Sequence, residues 1–180
     1  MRKKLFFLAL GFLEITTNLC ALEQTKHKIV YLISPPRSLS TVFLRMMGNR
    51  TDFEVLNEPG QYYYCKTKKD PKVVAYIFKD TMPDSIESLK NLILEKAKTS
   101  HVFIKDIAWY MEDSIINDLD FIQRDNVFFL FLIRNPHHIV ASMYKRLKLL
   151  SGIEQCTFCS TIGYQALNSI YTKIKKQAYN

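Results

Sequence analysis

Arg37, Ser38, Ser40 and Thr41 lie within one short stretch of the chain, and all four can handle an anion. A guanidinium offers a fixed fork of charge-assisted donors, and hydroxyls add neutral ones. Such a cluster is suited to gripping a phosphate or sulfate group. Arg134, Ser142 and Lys145 form a second group of the same kind. Between the two groups, Glu58, Lys105 and Asp106 supply carboxylates and an ammonium that can move a proton or stabilise developing charge.

The elements that must position these groups are legible around them. Ile29 to Ile33 is a short apolar run, β-branched and aromatic, which predicts a buried strand. Ser34, Pro35 and Pro36 stop it, because proline cannot donate to a ladder. Val42, Phe43, Leu44, Met46 and Met47 then repeat with helical period. The anion cluster thus falls between a strand and a helix N-terminus, where unpaired backbone N–H groups and the macrodipole favour negative charge. A P-loop of the form G-x-x-x-x-G-K-[ST] is absent, since the loop has neither glycine nor lysine.

Further along, Phe53 to Leu56 predicts a second strand, ended by Asn57-Glu58-Pro59-Gly60. Gln61 to Pro83, rich in tyrosine and lysine, is expected to be irregular. Asp84 or Ser85 can cap a helix over Ile86–Lys98. His101 to Ile104 predicts a strand leading to Lys105-Asp106, and Trp109 to Leu119 is weakly helical. Val127 to Ile133 is the strongest strand signal, with a helix from His137 to Leu150 behind it and a last helix over Thr161–Lys176. Strands alternating with helices, most of them unbroken apolar runs, imply an α/β fold with a parallel sheet covered on both faces. Ligands in such folds sit at the carboxyl ends of the strands. Arg37, Glu58, Lys105 and Arg134 are all expected there.

The segment Pro36-Arg37-Ser38-Leu39-Ser40-Thr41 resembles the 5′-phosphosulfate loop, P-[KR]-S-G-[ST]-T, of sulfotransferases that use 3′-phosphoadenosine 5′-phosphosulfate (PAPS). Arg134-Asn135-Pro136, with Ser142 and Lys145 at matching spacing, resembles the 3′-phosphate motif of the same family. The resemblance runs from about Lys28 to Leu150. It implies a P-loop NTPase-like three-layer fold, a central mostly parallel sheet flanked by helices, that transfers a sulfuryl group from PAPS to a hydroxyl or amine and leaves the bisphosphate PAP. By position, Arg37 would stabilise the bridging and sulfuryl oxygens. Ser38, Ser40, Thr41 and the amides around Leu39 would hold the 5′-phosphate, and Arg134 with Ser142 the 3′-phosphate. Cytosolic members carry a histidine base after the lysine that matches Lys105, but Ile107 occupies that position here. Asn57-Glu58-Pro59 resembles the glutamate site of other members, which makes Glu58 the candidate base and Asp106 the reserve.

Two departures stand out. Leu39 replaces the loop glycine, so the backbone there must avoid the left-handed region or accept strain. No segment between Ser151 and Asn180 matches the family's nucleotide-closing R-K-G-x-x-G. An inactive nucleotide-binding protein on the same fold is therefore the rival expectation. A nucleotide kinase-like phosphotransferase is disfavoured by the missing Walker lysine and by the lack of a clear Mg²⁺-binding aspartate.

The 180 residues suit one domain, with 48% apolar and 23% charged residues. A net charge of +8 favours anionic partners without choosing among them. No nucleic-acid motif underlies it, no metal is expected, and the acceptor (small molecule, glycan or protein) is not encoded. Residues 1–21 are expected to be a signal peptide, with a basic start, an apolar run from Leu5 to Leu13 and Ala21 before the cleavage point. Residues 22–180 would form the domain. That run is too short for a stable membrane span. Export, or a cytoplasmic protein with a hydrophobic N-terminus, follows as the expected location. Cys156-Thr-Phe-Cys159 stands alone and is given no chemistry.

Overall fold

A computed structural model describes residues 27–67, 83–149 and 162–178, with backbone only for 146–149 and 178. The expected signal peptide, most of the Tyr/Lys-rich stretch and the C-x-x-C pair lie outside the described residues. In chain order the elements are β1 (Ile29–Ser34), α1 (Ser40–Gly48), β2 (Phe53–Asn57), α2 (Gly60–Thr67), α3 (Ile86–Lys96) and β3 (His101–Ile107). Then come α4 (Ala108–Met111), a 3₁₀ turn (Ile115–Asn117), α5 (Leu119–Ile122), β4 (Val127–Phe131), α6 (Pro136–Leu149) and α7 (Tyr164–Ala178).

The four strands form one parallel sheet in the order β2-β3-β1-β4. Ile29, Tyr31 and Ile33 of β1 stand level with Val102, Ile104 and Asp106 of β3 and with Val127, Phe129 and Phe131 of β4. These alternate positions line one face, and that face holds the main core. Leu89 and Ile93 of α3, Met111, Ile115, Ile116 and Phe121 close over it, and α7 adds Leu167, Ile170 and Ile174. Ser85 caps α3 by accepting from the Ser88 amide, and Ser88 bonds back to the Ser85 amide. The last helix is thus core material.

The opposite face carries α1, whose Gly48 lies against Val55 of β2. It is thinly covered. Phe128 and Leu130 of β4 stay about half exposed, and so do Val42, Phe43 and Met46 of α1. The apolar stripe expected to bury α1 is therefore spread around a helix that packs chiefly on β2 and β3. Likewise β4 alternates instead of being buried on both faces, as suits an edge strand.

Other expectations are corrected locally. Gly60–Thr67 is helical where an irregular segment is predicted, because its N-terminus is received by the Asp106 carboxylate and Cys65 is buried. β3 runs on to Ile107, since its central place gives Lys105 and Asp106 ladder partners on β1. Lys105 and Asp106 therefore lie within the strand, not after it. The final strand stops at Phe131 instead of Ile133, and Leu132 adds one last bond to the Ile33 carbonyl (3.0 Å).

Candidate active site

β1 has β3 on one side and β4 on the other, so the connections leaving these strands open a crevice at their carboxyl ends. A cavity of about 590 Å³ lies there. One side is built from Arg37, Leu39, Ser40, Thr41, Arg134 and Ser142; the other from Glu58, Gln61, Lys105, Ile107, Trp109 and Tyr110. The two sequence motifs meet directly. Arg37 Nε donates to Ser142 Oγ at 3.0 Å, and Arg134 Nη1 donates to the Arg37 carbonyl at 2.9 Å. Segments about one hundred positions apart in the chain are thereby joined across the mouth of one crevice.

Among the described residues, three other than glycine have left-handed backbone: Arg37 (φ 61°), Leu39 (φ 69°) and Glu58 (φ 51°). All three line the cavity. Leu39 takes the second of the two courses open to it, accepting the strain. It stands as N-cap of α1 without a side-chain cap; the Val42 amide bonds back to the Leu39 carbonyl at 2.9 Å, which leaves the amides of Ser40 and Thr41 for another acceptor. Leu39 is 57% exposed and contributes little packing. Leu39→Gly is therefore expected to raise stability in urea unfolding by about 0.5–1 kcal/mol, the relieved strain less the extra freedom of the unfolded chain. A loss of stability would mean the side chain is held by contacts that outweigh the strain.

Ser40 and Thr41 reach the cavity as expected, but Ser38 does not. Its side chain is buried, and its hydroxyl has no hydrogen-bond partner among the described residues. Lys105 and Glu58 form an ion pair inside the cavity, with side chains 4% and 19% exposed. Asp106, alternating with Lys105 along β3, turns to the core face and is fully buried. It does not line the cavity, which removes it as the reserve base. Burial pushes its carboxyl up to about 7, against the lowering effect of its bonds to Tyr31 and Gly60.

The sequence reading missed the far wall. Trp109 and Tyr110 follow β3 directly, and Gln61 Nε2 donates to the Tyr110 hydroxyl at 3.0 Å. Burial raises the Tyr110 hydroxyl to about 12, so it is a neutral donor at physiological pH. The signal was two aromatic residues just past a strand end. Also unforeseen was support from the C-terminal segment. The Tyr164 hydroxyl donates to the Arg134 carbonyl. Gly163, at φ 76°, sits so close to Pro36 that a Cβ there would stand 3.1 Å from the proline ring. α7 thus braces both motifs from below.

A family model described as a sulfotransferase domain matches residues 27–175, from just before β1 into α7. No curated protein matches the chain. With an α/β parallel sheet, both motif segments meeting at one crevice and this match over most of its length, the chain belongs to the sulfotransferase domain family.

Proposed function

We propose that the cavity binds PAPS and transfers its sulfuryl group to a hydroxyl or amine acceptor. The observation that carries this reading is the convergence of Arg37, the uncapped N-terminus of α1, Arg134 and Ser142 on one crevice that also holds the Glu58–Lys105 pair. Fixed donors of this kind fit a doubly anionic nucleotide, with α1 and Arg37 toward one phosphate and Arg134 and Ser142 toward the other. PAPS supplies an activated sulfur whose leaving group is the bisphosphate. Arg37 and Lys105 stabilise charge as it grows on the leaving oxygen and the sulfuryl oxygens. Glu58 takes the proton from the acceptor as its oxygen or nitrogen attacks sulfur in line with that leaving oxygen. Lys105 engages Oε1 of Glu58, and Oε2 is the oxygen given to the acceptor's proton. Trp109, Tyr110 and Ile107 wall the end where the acceptor enters.

The test is a thermal-shift titration with adenosine 3′,5′-bisphosphate beside ATP and AMP, in wild type and Arg134→Ala. At 100 times its Kd the bisphosphate adds about 2.7 kcal/mol of stability. Arg134→Ala is expected to lose that preference. A chain that responds to no nucleotide sinks the proposal. Binding without turnover over a panel of acceptors leaves a nucleotide-binding protein on a sulfotransferase fold.

A further inference from the structure

The loop carrying Glu58 is tied down at several points. The Glu58 amide donates to the Lys105 carbonyl at 2.7 Å, and the Gln61 amide donates to the Glu58 carbonyl at 3.1 Å. A further tie comes from the other face of the sheet. Asp106 Oδ2 accepts from the Gly60 amide at 3.2 Å and from the Tyr31 hydroxyl at 2.9 Å. A Cβ at Gly60 would stand 3.0 Å from Oδ2, so a side chain there would press the carboxylate a few tenths of an ångström away from the turn. Tyr31 is itself fixed, fully buried, with its hydroxyl also 3.3 Å from Met111 Sδ. Neighbouring residues of β3 therefore hold the same loop from both faces. Lys105 meets the Glu58 side chain in the cavity, and Asp106 holds the turn that follows it.

We propose that Asp106 is a positioning residue for Glu58: its buried carboxyl anchors the Gly60 amide to the sheet and so fixes the left-handed turn that aims Glu58 at Lys105 and the cavity. The groups facing it are the Tyr31 hydroxyl from β1 and the Gly60 amide from α2; Met111 of α4 meets the Tyr31 hydroxyl behind it. The charges acting on it are Glu58, which opposes its ionisation, and Lys105, which favours it. Oδ1 has no partner among the described residues, so the whole anchor runs through Oδ2. An ionised Oδ2 is the stronger acceptor at a helix N-terminus, and the grip on Gly60 tightens as the carboxyl loses its proton. The catalytic consequence rests on the sulfuryl-transfer reading of Glu58; the anchoring does not.

The test uses the full chain, isotope-labelled for NMR, with Asp106→Asn, Asp106→Ala and Gly60→Ala. In wild type the Gly60 amide proton should titrate with a midpoint of about 7. In Asp106→Asn, which keeps an oxygen for Gly60 and Tyr31, it should be flat. Exchange of the Gln61 amide should quicken about tenfold in Asp106→Ala and Gly60→Ala, and stay at the wild-type rate in Asp106→Asn. The Glu58 carboxyl carbon resonance should move in the same two variants only. Adenosine 3′,5′-bisphosphate should bind all four proteins within about twofold, since its contacts lie elsewhere. A Gly60 amide indifferent to pH in wild type, or wild-type exchange and Glu58 resonance in Gly60→Ala, overturns the proposal. Gly60→Ala carries the test if Asp106→Ala does not fold. Failure of wild type to bind the bisphosphate would instead remove the sulfuryl-transfer reading and leave these resonances to decide the anchor.

Discussion

Asp106→Asn should gain stability over wild type as pH rises, by about 4 kcal/mol between pH 4 and pH 8. The carboxyl ionises near its ordinary value of 3.8 in the unfolded chain and at about 7 in the fold, chiefly because burial penalises the charge. An acid whose folded pKa is raised binds more protons folded than unfolded between those two values. The unfolding free energy of wild type therefore falls with pH across that window and levels off above it. Asparagine has no proton to lose, so its curve lacks this component. Other carboxylates shift the opposite way, such as Asp118, where burial is outweighed by the bonds from Lys90 and the Phe121 amide, but they are the same in both proteins and cancel in the difference. Urea unfolding at pH 4.5, 6 and 8 reads the gap directly. Parallel curves would mean that water reaches the carboxyl and that its burial is not maintained in solution.

That residue also shows where sequence reading runs out. Lys105-Asp106 is legible as a polar pair at the end of an apolar strand. Which of the two faces the crevice is a matter of register, and register is set by pairing with β1, where Lys105 stands level with Leu32 and Asp106 with Ile33. A one-residue change in register would exchange the cavity lysine and the anchor. The loop after β1 was legible for a different reason. Prolines, an arginine and hydroxyls in a fixed order leave few local conformations, and the strand and helix on either side are apolar enough to declare themselves. Even there the side chain of Ser38 turned inward, because the left-handed residues on both sides of it, Arg37 and Leu39, reverse the chain locally.

That Ser142 shares a site with Arg134 was inferable from spacing, since it lies two turns into a helix opened by Pro136. The brace from Tyr164 and Gly163 was not. It depends on α7 packing beneath the sheet, a long-range contact that no local pattern encodes. The same holds for α1, whose helical period was correct and whose burial was not. Period fixes which residues share a face, whereas the rest of the fold decides whether anything covers it.

The second large effect concerns the pair in the cavity. Glu58→Ala should cost about 3 kcal/mol, toward the lower end for breaking a buried ion pair because Glu58 is partly exposed. What makes the variant unstable is the partner left behind. The Lys105 side chain is 4% exposed, and its ammonium would have neither water nor a carboxylate. Replacing it as well, in Glu58→Ala with Lys105→Met, should recover at least about half of that loss, a coupling of the size seen between residues in contact. Additive losses in urea unfolding would show that the ammonium escapes to solvent when Glu58 is cut back. The prediction bears on how the proposed base must be tested. An alanine at this position removes the proton acceptor and loosens the loop together, so lost activity would say little about chemistry. Glu58→Gln keeps an oxygen for Lys105 and removes only the capacity to take a proton. On the proposed reading, Glu58→Gln binds the bisphosphate as wild type does and loses about 100-fold or more in kcat, the lower range of a general base's contribution. Undiminished turnover in a folded Glu58→Gln would assign the proton to another acceptor.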